Sequence, residues 1–181
     1  MLNYNQVTNS EINNNGVSIK EIAPIMKLNL RGKTREFFTN VGKSLNMILP
    51  TEANTSSSSD KLTAIWLSPD EWLIYGKDVD KNLELSLNKE ISNLNIGSIT
   101  DVSDQWVIIN MKGENIFEIL SKGSPFNFNE FKKNKNVVAQ TLLNHIDVIV
   151  HNQDTNNINL FVRKSFSEHL WLWINDSSSF L

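Results

Sequence analysis

The sequence predicts an α+β fold, antiparallel sheets with helices packed on them, from three observations. Its pattern runs strands, helix, hairpin, helix, hairpin, helix, three strands, helix. Helices therefore return to antiparallel pairs rather than alternating with single strands, unlike a doubly wound parallel sheet. A two-sided apolar hairpin stands near the middle, at Ala64–Gly76. Finally, 40% apolar and 20% charged residues over 181 positions suffice for a sizeable core.

The hairpin is the most informative stretch. Two apolar runs, Ala64-Ile65-Trp66-Leu67 and Trp72-Leu73-Ile74-Tyr75, flank Ser68-Pro69-Asp70. Proline presets the φ that a turn requires, and Ser or Asp bonds nearby backbone. Strand side chains alternate, so Trp72 and Ile74 point one way and Leu73 and Tyr75 the other. A strand with one wet face would alternate apolar and polar. This one does not, so both faces must be covered, by the same chain or by another. Burying one tryptophan contributes on the order of 4–6 kcal/mol gross, an upper bound.

In chain order, Met1–Asn15 is polar and reads as a disordered tail. Residues 16–181 read as one domain, with lobes 16–96 and 97–181 as the available division. Val17–Lys20 and Met26–Leu30 alternate as strands on either side of Pro24. Thr34 can cap a helix through Asn46, with Phe37, Phe38, Val41 and Leu45 on one face. Glu52–Asp60, with four consecutive serines, reads as a flexible surface loop.

After the hairpin, Asp80 can cap a helix reaching Asn93. Ile99–Val102 and Trp106–Met111 read as a second hairpin around Ser103-Asp104-Gln105. A short helix, Glu114–Leu120, is stopped by Gly123, and Ser124–Phe128 is a loop. Val137–Leu143, Ile146–His151 and Ile158–Val162 are three strands. Ser165-Phe166-Ser167-Glu168 fits a capping box, opening a last helix with Phe166, Leu170, Trp173 and Ile174 on one stripe, widened by Trp171 and Leu172.

Composition excludes several functions. A net charge of −3 leaves no footprint for nucleic acid or an anionic membrane. Lys132-Lys133-Asn134-Lys135 is the most basic run and suits a solvated loop. There are no cysteines, hence no disulfide, thiolate metal site or cysteine nucleophile. No apolar run reaches the ~20 residues of a membrane span, and Met1–Asn15 lacks the pattern of a secretory signal. A cytoplasmic location is expected.

Reactive constellations are sparse. His145, His151 and His169 have no zinc-site spacing and are more often structural. Asp101 with Asp104, and Asp70 with Glu71, lie in turns, where carboxylates usually satisfy backbone. Leu30-Arg31-Gly32 and Lys112-Gly113 carry single glycines without a phosphate-loop pattern, and Gly97-Ser98 and Gly123-Ser124 lack the second glycine of a nucleophile elbow. No catalytic, cofactor-binding or metal-binding residue is therefore assigned. Trp66, Trp72, Tyr75, Trp106, Trp171 and Trp173 are candidate core or partner-interface anchors. The chain carries more aromatic surface than a small solitary domain readily hides.

Leu30-Arg31-Gly32, Trp66-Leu67-Ser68-Pro69-Asp70-Glu71-Trp72-Leu73 and Thr100-Asp101-Val102-Ser103-Asp104 resemble the gamma subunit of heterotetrameric sarcosine oxidase. So do Leu120–Phe126, Ala139-Gln140-Thr141-Leu142, Arg163-Lys164-Ser165-Phe166 and Leu170-Trp171. The resemblance runs in order from Val17 to Asn175. One departure is Ser124, where gamma chains often carry a cysteine.

The resemblance implies a subunit of an enzyme that oxidatively demethylates sarcosine to glycine. That enzyme passes the one-carbon unit to tetrahydrofolate and electrons through flavins to oxygen, forming hydrogen peroxide. The alpha and beta subunits are expected to hold FAD, FMN, NAD and the tetrahydrofolate site, and the delta subunit zinc. The gamma chain is expected to bind no cofactor, to share the fold of the folate-binding domains of the glycine-cleavage aminomethyltransferase, and to serve assembly. Two alternatives remain open at this point: a stand-alone folate-binding or aminomethyltransferase-like protein, and the equivalent subunit of a related N-methyl amino acid dehydrogenase.

Overall fold

The computed structural model describes residues 6, 8, 10–59 and 61–181. It divides into two compact units, Ile25–Ser103 and a second made of Met1–Pro24 with Asp104–Leu181. The boundaries differ from the expected lobes, because the first strands join the C-terminal half. The expected tail lies partly outside the described residues; within it, Ile12–Asn14 (β1) pairs antiparallel with Val17–Glu21 (β2). The Asn15-Gly16 turn between them explains the strand: both residues take positive φ, 45° and 76°, as a two-residue hairpin loop requires.

The Ile25–Ser103 unit has one antiparallel sheet. Lys27–Gly32 (β3) is followed by Arg35–Leu45 (α1), Ser56–Ser58 (β4), Leu62–Ser68 (β5), Glu71–Gly76 (β6), Lys81–Leu87 (α2), a π-helical turn Asn88–Ser92, and Gly97–Asp101 (β7). The sheet order is β4-β5-β6-β3-β7. Thr34 caps α1 by accepting from Phe37 N at 3.1 Å, and Asp80 caps α2 by accepting from Leu83 N at 2.8 Å. The serine-rich segment is not all loop, since Ser56–Ser58 pairs with β5; Asp60 lies outside the described residues. Leu28, Leu30, Trp72 and Ile74 pack with Phe37, Val41 and Leu45 of α1 and with Leu87 and Ile91. Leu73 and Tyr75, on the other face of β6, are buried as well.

The second unit has a six-stranded antiparallel sheet. It adds Trp106–Gly113 (β8), Ile116–Gly123 (α3), Phe128–Phe131 (α4), Val137–Leu143 (β9), Ile146–Asp154 (β10), Asn157–Arg163 (β11) and Lys164–Ser179 (α5), in the order β1-β2-β8-β11-β10-β9. The second predicted hairpin does not form. β7 pairs with β3, whereas β8 pairs with β2 and β11. Turn residues such as Ser103 and Asp104 serve equally in a hairpin and in a link between sheets, and nothing local tells them apart.

Three further expectations change. The segment after Gly123 contains α4, capped by Asn127, whose Oδ1 accepts from Asn129 N at 3.0 Å. The capping box does not form: Arg163 is the N-cap of α5, and Lys164 N donates to Gln105 O at 2.9 Å. Ser165 is not needed because a neighbouring carbonyl already takes the helix's first N–H. The buried stripe is Ser167, Leu170, Trp171, Ile174, Ser177 and Ser178, while Phe166 and Leu172 are exposed. The polar end of α5 stays helical because Lys122 Nζ donates to Ser177 O at 3.0 Å and Phe180 O at 3.2 Å, and Asn15 Nδ2 donates to Ser178 O at 3.2 Å.

Gly123 ends α3 without positive φ, so its role is space rather than a left-handed cap. A Cβ there would lie 2.6 Å from the Trp173 ring. Gly123→Ala should cost about 1–3 kcal/mol, read as a lower midpoint in urea unfolding of the purified chain; an unchanged midpoint would show that Trp173 moves freely. Among the described residues, no helix is long and apolar enough to cross a membrane.

Candidate functional site

The sequence stretches singled out above gather into two clusters, one in each unit. In the first, Leu30 pairs with Trp72 on one side and Ile99 on the other, joining three of the stretches across β6-β3-β7. Phe37 lies over the Gly32–Gly97 pair, where a Cβ on Gly97 would come within 2.7 Å of its ring. Ser68 Oγ donates to Asp70 Oδ1 at 2.8 Å, and Asn29 Nδ2 donates to Glu71 Oε1 at 2.7 Å. Arg31 Nη2 lies 3.7 Å from a carboxylate oxygen of each. The Ser68 hydroxyl, helped by the Arg31 charge, holds the Asp70 carboxyl below its usual range.

Asp101 is equally occupied. Its Oδ1 accepts from Ser103 N at 2.9 Å and from Ser103 Oγ at 2.5 Å, while Ser103 Oγ accepts from Lys27 N at 2.9 Å. Asp70 and Asp101 brace their turns, while Glu71 is tied to Asn29 on the neighbouring strand.

In the second unit, Asn144 N donates to Gly123 O at 2.9 Å, and Ser124 Oγ and Thr141 Oγ1 are 3.3 Å apart. Ser124 thus joins the turn after α3 to β9. Arg163 lies over the Trp106 ring, 4.2 Å from its centroid, and donates to Gln105 Oε1 at 2.6 Å. Phe117, Phe126, Phe128 and Phe131 form an aromatic cluster between α3 and α4.

The six candidate aromatics separate by burial. Trp72 (1% exposed) and Trp171 (6%) are core residues, one in each unit. Tyr75 is buried too. Trp66 and Trp173 are half-buried against the cores, and Trp106 is half-buried beneath Arg163. Among the described residues, the large apolar side chains left open are others: Ile48, Leu85, Leu94, Leu142, Phe166, Leu172 and Phe180.

The histidines do not converge. His145 is exposed in the β9–β10 turn at φ 63°, and His169 Nε2 is 3.2 Å from Asn144 Nδ2. His151 lies inside β10 rather than at its end, and is fully buried. It stands in register with Asn159, which stands in register with Asn110, a polar row across three strands. Asn110 Nδ2 donates to Asn159 Oδ1 at 2.9 Å and to Ile158 O at 3.0 Å. Burial pushes the His151 imidazole down to about 4, so it is neutral at physiological pH. Among the described residues, no group of three or more His, Asp or Glu could hold a metal ion.

The sequence profile of the sarcosine oxidase gamma subunit family matches residues 32–180. This chain belongs to that family. No curated protein matches the sequence. Among solved structures, the gamma-family chain is similar to a chain of the heterotetrameric sarcosine oxidase from Corynebacterium sp. U-96, solved in complex with pyrrole 2-carboxylate. The TM-score is 0.83 at 22% identity, covering 90% of this chain and 84% of that one. The glycine cleavage system aminomethyltransferase T from Bartonella henselae follows, with TM-score 0.64 at 11% identity, covering 88% of this chain and 45% of that one. Both likenesses are of fold, and they bear out the expected α+β architecture and its similarity in fold to the aminomethyltransferase. Within the gamma-family chain, sequence reading did not find the polar row of His151, Asn159 and Asn110. Its members are dispersed in sequence, and only the strand register brings them together.

Proposed function

We propose that this gamma-family chain is a non-catalytic assembly subunit of a cytoplasmic heterotetrameric sarcosine oxidase. Its partners are the alpha, beta and delta subunits, and FAD, FMN, NAD, tetrahydrofolate and zinc reside on them. The observation that carries the reading is the family match over residues 32–180. The local chemistry supports it: Asp70 and Asp101 are engaged in turn hydrogen bonds, Glu71 in a bond with Asn29 of the neighbouring strand, and His151 is sealed in a sheet. The half-buried rings of Trp66, Trp106 and Trp173 are the candidate anchors with surface left for a partner.

Co-expression of this chain, tagged, with the three other subunits tests the proposal. Affinity purification should recover a flavin-absorbing complex that oxidises sarcosine, and omitting this chain should abolish assembly. A stable, fully active oxidase formed without it would overturn the assembly role.

A further inference from the structure

The β1–β2 turn carries an asparagine followed by a glycine, and the structure gives that pair a chemical fate. Asn15 and Gly16 are both exposed. In a two-residue loop of this kind the turn's own hydrogen bond is made by the residue after the glycine, here Val17, which leaves the Gly16 amide uncommitted. Gly16 has no Cβ to block approach to the preceding side chain, and the nearest atom to a Cβ there would be Asn115 Nδ2 at 3.7 Å. The Asn15 side chain has a structural job: its Nδ2 donates to Ser178 O, tying the hairpin to the last turn of α5. Asn115 Nδ2 braces the same turn from α3's N-terminal side, donating to Asn15 O at 2.9 Å.

We propose that Asn15 is a self-modification site, where spontaneous loss of the side-chain amide releases the N-terminal hairpin from the C-terminal end of α5. Gly16 N gives up its proton to solvent base and attacks Asn15 Cγ. The Cγ–Nδ2 bond breaks, Nδ2 takes a proton and leaves as ammonia, and a five-membered imide closes. One water then opens either C–N bond of the imide, giving aspartate or isoaspartate. No oxidation or reduction occurs. The product lacks the donor that held Ser178 O and places a negative charge beside the C-terminal end of a helix, where the dipole disfavours it. Isoaspartate also adds a backbone methylene that the two-residue turn does not accommodate.

The hydrogen bond to Ser178 O restrains the Asn15 side chain, and the proposed attack needs that side chain free to turn. Reaction follows opening of that contact. Lys122 donates to Ser177 O and Phe180 O, on either side of Ser178, and so holds the backbone that presents the Ser178 carbonyl. Losing a hydrogen bond of about 1 kcal/mol corresponds to a roughly fivefold change in the opening equilibrium.

The test is prolonged incubation of the purified full chain at mildly alkaline pH, with peptide mass mapping over time. The folded wild type should gain about one dalton at Asn15, as thermolabile asparagines do, ahead of every other asparagine. Gly16→Ala should suppress the gain, and Lys122→Met should speed it roughly fivefold. The same chain in urea, where no fold protects Asn15, supplies the ceiling rate and shows that the chemistry is competent even if Gly16→Ala folds poorly. Asn15→Asp should reproduce faster hydrogen exchange at the end of α5. No mass gain in the folded chain while the unfolded chain reacts would overturn the proposal, and an unchanged rate in Lys122→Met would overturn the restraint.

Discussion

Trp72→Ala should cost the isolated chain about 3–5 kcal/mol and lower its urea midpoint sharply. The ring is 1% exposed and packs against Phe37 with centroids 5.8 Å apart and against Phe38 edge-on at 5.3 Å. Its indole N–H donates to Pro50 O at 2.8 Å, anchoring the chain beyond α1 to the sheet. Truncation therefore removes three things together: buried area, two aromatic contacts, and the partner of a carbonyl. Trp72→Phe separates them. It keeps most of the area and loses the N–H, so its cost should be near the roughly 1–3 kcal/mol of an unsatisfied buried carbonyl. A tryptophan reserved for a partner subunit would behave differently: the isolated chain would melt unchanged and only association would suffer. The burial of Trp72 places it in the first case, and equal unfolding midpoints for wild type and Trp72→Ala would refute that.

The contrast between Trp72 and the open apolar residues shows what was legible in the sequence. The apolar runs on both faces of Ala64–Gly76 required cover, and the chain itself buries Ala64, Ile65 and Trp72–Tyr75 while leaving Trp66 and Leu67 half-buried. Caps at Thr34 and Asp80 were readable because a side chain and a backbone N–H three residues away suffice to make them. Ser165 failed because Gln105, sixty residues earlier in sequence, had already taken the helix's first N–H. The predicted hairpin at Ser103 failed for the same kind of reason, since partner choice between strands is non-local.

Seven of the eight described non-glycine residues at positive φ are asparagines, at turns and helix ends from Asn15 to Asn156. Asparagine tolerates the left-handed region better than other side chains. Of the candidate anchors, aromatic identity alone could not separate core from surface. Trp171 and Trp173 sit two positions apart on one helix, and one is core while the other is half-open.

Acid should destabilise the chain through one histidine. His151 is held near 4 by burial, against an ordinary value of 6.5. The folded state keeps it neutral, while the unfolded chain binds its proton readily. Between those two values the unfolded state carries more protons, so stability rises with pH across the window. The contribution of neutral burial is fully present above pH 6.5 and is lost as pH falls toward 4, about 3 kcal/mol in all. Carboxylates add an acid slope of their own, most of it at lower pH, so the wild type alone is not diagnostic. His151→Gln supplies the comparison, because glutamine hydrogen-bonds without titrating. The difference in unfolding free energy between wild type and His151→Gln should shift by about 3 kcal/mol from pH 7 to pH 4. The shift should disfavour the wild type at the acid end. A difference that stays constant over that range would show that His151 reaches solvent or a counter-charge when it takes its proton, and that the polar row with Asn159 and Asn110 opens more easily than its burial implies.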